Sequence, residues 1–210
     1  MSAAIASFGY AAVALFVIID PIGTAVFFAT LTTRDTPDRR RAIARRASLI
    51  GLVVLAVFGA AGEMLLRVLG ISIPALKIAG GALLFLSAAD MVTARGELRA
   101  SDEEREAAIT STADISVFPL AIPFIAGPGA MTTMVLLHAQ ANGSIWAIAG
   151  DEAALVAVIV LTFVFMISAR TFARLMGETG AHVIGRVLGI LLAALAAQFM
   201  VEGLRTALHL

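Results

Sequence analysis

Cysteine is absent from the 210 residues, which excludes a disulfide framework and a thiolate metal site. Charge is almost as scarce. Asp, Glu, Lys and Arg make up 14% of the chain, and the two signs cancel to a net charge of +0. A neutral chain with a pI near 6.8 and no cluster of basic and aromatic residues is not built to hold nucleic acid. The apolar N-terminal stretch lacks a basic leader region and runs unbroken to Asp20, so it reads as a first membrane span and not as a cleaved signal. What is present is apolar: 60% of the residues are hydrophobic, and the mean hydropathy is +0.97. A soluble domain of this length cannot hide so much apolar area in one core, so the composition is that of an integral membrane protein.

A helix crosses the hydrocarbon core with about 20 mostly apolar residues. Six segments meet that requirement: Ser7 to Leu31, Ala47 to Leu69, Ile73 to Thr93, Ile115 to Ala139, Ile145 to Ala169 and His182 to Leu204. The longest polar connection, with both signs of charge in Asp102-Glu103-Glu104-Arg105-Glu106, divides the chain. Residues 1–94 form a first three-helix unit, 95–114 a polar cytoplasmic linker and 115–210 a second three-helix unit. With the spans so drawn, Arg34, Arg39, Arg40, Arg41, Arg45, Arg46, Arg95, Arg99, Arg105, Arg170, Arg174 and Arg186 fall on one side, against Arg67, Lys77 and Arg205 on the other. The positive-inside rule makes the arginine-rich side cytoplasmic and places both termini outside, and the same arginines can meet anionic lipid headgroups.

The two units are expected to be related. A shift of 109 positions lays Lys77 on Arg186, Gly80 on Gly189, Leu83 on Leu192, Leu86 on Leu195, Ala88 on Ala197, Met91 on Met200 and Val92 on Val201. A shift of 107 lays Pro21 on Pro128. Three spans per unit is an odd number, so the second copy must enter the membrane from the opposite face, as an inverted repeat.

Two spans are interrupted near their centres, the first at Asp20-Pro21-Ile22-Gly23 and the fourth at Ala126-Gly127-Pro128-Gly129. Backbone groups freed at mid-membrane find no water, so such breaks persist where they line a cavity or bind something. In the expected topology the half-helices after both breaks start at the midplane, and their positive ends converge on a site suited to an anion such as a carboxylate. Gly23, Gly127 and Gly129 let a ligand approach the backbone, and Thr24, Thr132 and Thr133 add hydroxyls. Asp20, beside Pro21, can accept from an ammonium or carry a proton. N–H groups at one end and a carboxylate at the other suit a small zwitterion, that is, a small amino acid.

The stretches Asp20-Pro21-Ile22-Gly23, Gly70 to Gly81 with Asp90, and Ile125 to Thr133 resemble the MarC family of bacterial inner-membrane proteins over nearly the whole chain. That resemblance implies six spans in two inverted halves and transport of small neutral amino acids of the glycine, alanine or serine type. It implies substrate held at Asp20, Pro21, Gly23, Thr24, Gly127, Pro128, Gly129, Thr132 and Thr133. The family pattern carries asparagine and proline where this chain has Thr24 and Val26.

Other polar residues divide between structure and function. Asp90, with Ser87 one turn away, is a candidate for gating or proton movement as well as a plain interfacial carboxylate. Lys77 and Glu63 read as snorkelling or as paired with each other. His138, Gln140 and Gln198 read as interhelical hydrogen bonds, and Gly51, Gly59, Gly80, Gly81, Gly185 and Gly189 as close helix contacts. An intramembrane hydrolase built on an Asp20–Asp90 acid pair is the rival of another class. The chain has no HExxH, GxSxG, P-loop lysine or GxGD motif, so no catalytic residue, metal or cofactor is assigned. A membrane protein that senses a solute without moving it is the remaining alternative. The sequence leaves open a coupling ion (proton or sodium), the direction of transport and the oligomeric state.

Overall fold

The computed structural model describes residues 2–93 and 114–208, leaving out the side chains of 2–3, 170–179 and 181–182. The linker expected over 95–114 lies outside the described residues except for Asp114. Eight helical segments follow one another: α1 (Ser2–Ile19), α2 (Pro21–Leu31), α3 (Pro37–Val68), α4 (Ile73–Thr93), the irregular α5 (Ser116–Ile125), α6 (Pro128–Gln140), α7 (Ile145–Ile167) and α8 (Ala169–Leu208). No strand occurs among the described residues. Five helices are long and apolar enough to cross a membrane: Ala4–Leu31, Pro37–Val68, Ile73–Thr93, Ile145–Ile167 and Val183–Leu208. A sixth is added if α5 and α6, bent by 54°, count as one span. The chain is therefore an all-α membrane protein.

Local sequence explains where these helices begin and stop. The Thr36 hydroxyl accepts from the Arg39 amide at 3.4 Å, and Pro37 takes the first helical position, where a missing N–H costs nothing. This cap starts α3 well before Ala47, so the arginine run is helical and extends beyond the apolar span. At the other end Gly70 adopts φ 69, the Ile71 amide reaches back to the Leu66 carbonyl at 2.9 Å, and the Gly70 amide to that of Arg67 at 3.1 Å. These paired bonds use up carbonyls that a helix end otherwise leaves open. Ser144 caps α7 by accepting from the Ala147 amide at 3.3 Å.

Helix α4 packs antiparallel against the C-terminal half of α8. Met200 lies over Gly81, Met91 over Gly189, and the Lys77 side chain over Gly203. With no Cβ at those positions the backbones approach closely, which is how helices gain contact in lipid. The other pairings largely keep their form when the first four helices are exchanged with the last four. α1 packs on α7 as α5 packs on α3, α3 on α6 as α7 on α2, and α4 on α6 as α8 on α2. One buried apolar cluster joins α1, α2, α3, α5, α6 and α7 through Leu15, Phe28, Leu55, Ile125, Met134 and Leu155. A second, around Val17, Leu84, Leu136, Leu192 and Phe199, ties α4 and α8 to it.

Candidate functional site

The first break is closed by the chain itself. Asp20 adopts φ 46 and ψ 74, a left-handed conformation that aspartate tolerates better than most residues. Pro21 follows at the first position of α2. In a continuous helix the Gly23 amide would donate to the Ile19 carbonyl. Here the Gly23 amide donates instead to Asp20 Oδ1 at 3.0 Å, and the hydroxyl of buried Thr24 donates to the Ile19 carbonyl at 3.0 Å. A Cβ at position 23 would collide with the Asp20 carboxylate, so glycine is required for this approach. The carboxylate therefore caps the positive end of α2.

The second break is built differently and is more extensive than the Ala126-Gly129 motif suggests. Phe118 (φ −127, ψ 127) and Ile122 (φ −130, ψ 120) are extended inside α5. Each precedes a proline, Pro119 or Pro123, whose ring pushes its predecessor out of the helical region. The amides of Leu120 and Ala126 reach five residues back, to Ile115 at 3.4 Å and Ala121 at 2.8 Å. Gly127 then runs extended (φ −78, ψ 167), and Pro128 opens α6. A helix leaves its first N–H groups without internal acceptors. Those of Gly129 and Ala130 have no capping side chain, because Gly127 has none to offer.

The two breaks approach each other near the middle of the helices that carry and flank them. A Cβ at Gly129 would collide with Leu84, near the middle of α4, and would lie 3.7 Å from Ile18, near the middle of the Ala4–Leu31 span. Asp20 is two residues on from Ile18. The rings of Phe27 (α2) and Phe124 (α5) stack with centroids 3.9 Å apart and planes 10° from parallel. The Thr132 side chain rests on Gly80, and its hydroxyl makes no hydrogen bond among the described residues. The Thr133 hydroxyl donates to the Gly129 carbonyl at 2.9 Å, so it is occupied locally, as that of Thr24 is. Thr24 and Thr133 are buried, Asp20, Gly23, Gly127 and Gly129 are half-buried, and Pro128 is exposed. Asp90 is exposed and lies six residues beyond Leu84, about 9 Å along α4, so the structure does not bring it to the breaks. The site thus offers uncapped N–H groups from α6 and a carboxylate from the α1–α2 junction. Among the described residues no group of three or more His, Asp or Glu is placed to hold a metal ion.

Charged groups elsewhere are paired in ways the sequence only partly anticipated. Lys77 and Glu63 do not pair with each other: Lys77 Nζ meets Glu202 Oε2 of α8 at 2.9 Å, and Glu63 meets Arg67 one turn along α3 at 2.6 Å. The Gln198 amide donates to Glu202 on its own helix at 2.8 Å, so it does not bridge helices directly. His138 reaches across to α7, with Nε2 3.0 Å from Glu152 Oε1, but without the alignment of the interhelical hydrogen bond expected of it. Arg40 is buried, with Nε donating to the Thr32 hydroxyl at 3.1 Å and its guanidinium 5.4 Å above the Phe28 ring. It pins the end of α2 to α3. Arg46 pairs with Asp114, whose carboxyl is held below the usual range by the Ser116 hydroxyl and amide and by that arginine.

Several of these residues escaped sequence reasoning. Pro119 and Pro123, four apart inside an apolar segment, were a readable signal of the second break. Asp151 and Glu152 were hidden by the apolar average of α7. Buried Ser48, whose hydroxyl has no partner among the described residues, carried no signal at all.

No solved structure matches this chain. A membrane protein, YvbG of Bacillus subtilis, is 37% identical over 196 residues, covering 92% of each chain. A membrane protein of Archaeoglobus fulgidus is 36% identical over 190 residues, 90% of this chain and 88% of its own. The Escherichia coli inner membrane protein YhgN is 34% identical over 199 residues, 93% of this chain and 94% of its own. These three share the name UPF0056, which states a membrane location and no reaction. The model of the MarC family of integral membrane proteins matches residues 5–208, and the chain belongs to that family.

Proposed function

We propose that this protein is a secondary transporter of small neutral amino acids, of the glycine, alanine or serine type, working by alternating access without ATP. One observation carries the reading: two helix breaks approach each other near the middle of their helices, one with a bare N-terminus and the other holding a carboxylate. The substrate carboxylate accepts from the Gly129 and Ala130 amides, where the helix end favours negative charge. Its ammonium faces Asp20. Leu84 and Ile18 stand against Gly129 so closely that Leu84 must turn aside for a substrate, which favours one with a short side chain. The site is completed by Pro21, Gly23 and Thr24 from the first unit and by Gly127, Pro128, Thr132 and Thr133 from the second.

Residues 1–94 and 115–210 act as inverted repeats that rock about this site, with 95–114 as the cytoplasmic linker and both termini outside. The pairings conserved on exchange of the halves, and the reciprocal Met91–Gly189 and Met200–Gly81 contacts, support this arrangement. Counterflow of labelled glycine, alanine and serine in proteoliposomes tests the function. Wild type is expected to exchange at least one of the three. Asp20→Asn loses exchange while remaining monodisperse and keeping its unfolding temperature, and Gly129→Leu, which must displace Leu84, loses exchange in the protein that remains monodisperse. Full exchange in both variants overturns the site, and amino-acid binding with no flux in wild type assigns a sensor instead.

A further inference from the structure

Away from the breaks, a second ionisable cluster lies between α6 and α7. Asp151 sits in the second turn of α7, 2% exposed, and makes no hydrogen bond among the described residues. A lone carboxylate so placed is costly, and such residues in spans mark ion or proton paths. The charges it feels are those of His138 and Glu152. The His138 side chain is 10% exposed, and its Nε2 lies 3.0 Å from Glu152 Oε1, outside good hydrogen-bond alignment. Glu152 is the most exposed member, with a side chain 33% exposed, in the second turn of α7. The order from the protein surface inward is thus a carboxylate, an imidazole and a buried carboxylate.

We propose that His138, Asp151 and Glu152 form the proton-binding site that couples transport to a proton gradient. A proton enters from water at Glu152 and passes to the His138 imidazole. With His138 protonated and both acids ionised the cluster carries one net negative charge. A second proton, on the Asp151 carboxyl, neutralises it. Only protons move, and no other bond changes.

Surrounding elements leave the cluster to itself. Gly59 of α3 lies under the imidazole, and the next charges on α3, Glu63 and Arg67, satisfy each other. α1 meets α7 at Ala4 and Phe8, which do not titrate, and Tyr10 of α1 is exposed. α2 has no ionisable side chain. Lys77 of α4 and Glu202 of α8 are bound to each other, Asp90 is at the far end of α4, and Arg205 is exposed. Coupling follows from connectivity, because α6 carries the bare N-terminus at one end and His138 at the other. Any movement of α6 against α7 must open the His138–Glu152 contact, so the protonation state of the cluster sets how readily the helix moves.

This inference rests on the transport reading, and two assays separate their failures. Counterflow at equal pH reports substrate exchange, and net uptake driven by an imposed pH gradient, acid outside, reports coupling. Wild type is expected to show both, while Asp151→Asn and His138→Gln keep counterflow and lose the stimulation by the gradient. Should Asp151→Asn aggregate, His138→Gln carries the same comparison. The inference is overturned by wild-type uptake that ignores the pH gradient or follows a sodium gradient, or by gradient-driven uptake that survives in the folded variants. Absence of wild-type counterflow for all three amino acids removes the transport reading, and the coupling with it.

Discussion

Thr24 holds the first break together through a single hydrogen bond. Its hydroxyl supplies the Ile19 carbonyl, which lost its helical donor when the Gly23 amide turned to Asp20. Thr24→Ala leaves that carbonyl unpaired in a buried place and is expected to lower stability by about 1–3 kcal/mol. Thr24→Asn, the residue of the MarC pattern at this position, keeps an N–H donor and is expected to recover most of the loss. Thermal unfolding of the three proteins in detergent decides the matter. Equal midpoints for wild type and Thr24→Ala would mean that the hydroxyl contributes nothing.

Among the elements, α5 is the least regular, and its start is fastened to α3. Asp114 accepts from the Ser116 amide at 3.0 Å and from the Ser116 hydroxyl at 2.6 Å, and it meets Arg46 of α3. These partners favour its ionised form, so the folded carboxyl titrates below the ordinary aspartate value of 3.8. Its contribution to stability is present above that value and is lost as the pH falls through the lower folded one. Exposed ion pairs contribute about 0–1 kcal/mol, so the effect is small and weakens with salt. Asp114→Asn is expected to unfold earlier than wild type at neutral pH and together with it in strong acid. A gap that persists in strong acid would assign the fastening to packing. The elements themselves were largely legible. The span drawn from Ile73 to Thr93 coincides with α4, because hydropathy and the Schellman-closing Gly70 both mark its limits. The unlike capping of the two breaks was not legible, since it depends on a carboxylate folding back onto an amide three residues away. Asp151 was missed because its burial follows from how α7 packs against α1, α2 and α3, all far back along the chain.

For the whole molecule, the orientation in the membrane is the simplest proposition to test, and the lack of cysteine makes the test clean. Arg39, Arg41, Arg45 and Arg46 extend from the start of α3 on exposed positions, on the same side as Asp114. The α6–α7 turn, with Gln140 and Asn142 exposed or nearly so, lies at the opposite end of those spans. Cationic segments are retained on the cytoplasmic side during insertion. Single cysteines at two exposed positions, Thr33→Cys before the arginine run and Gln140→Cys at the end of α6, report the two faces. In intact cells of a Gram-negative host opened to the periplasm, a membrane-impermeant maleimide is expected to label Gln140→Cys at once and Thr33→Cys only after the inner membrane is permeabilised. The reverse pattern would place the arginines outside and reverse the proposed orientation. Equal labelling of both would mean that the chain inserts in two orientations. The reversed orientation would also turn His138, Asp151 and Glu152 away from the side on which a proton gradient, acid outside, supplies them.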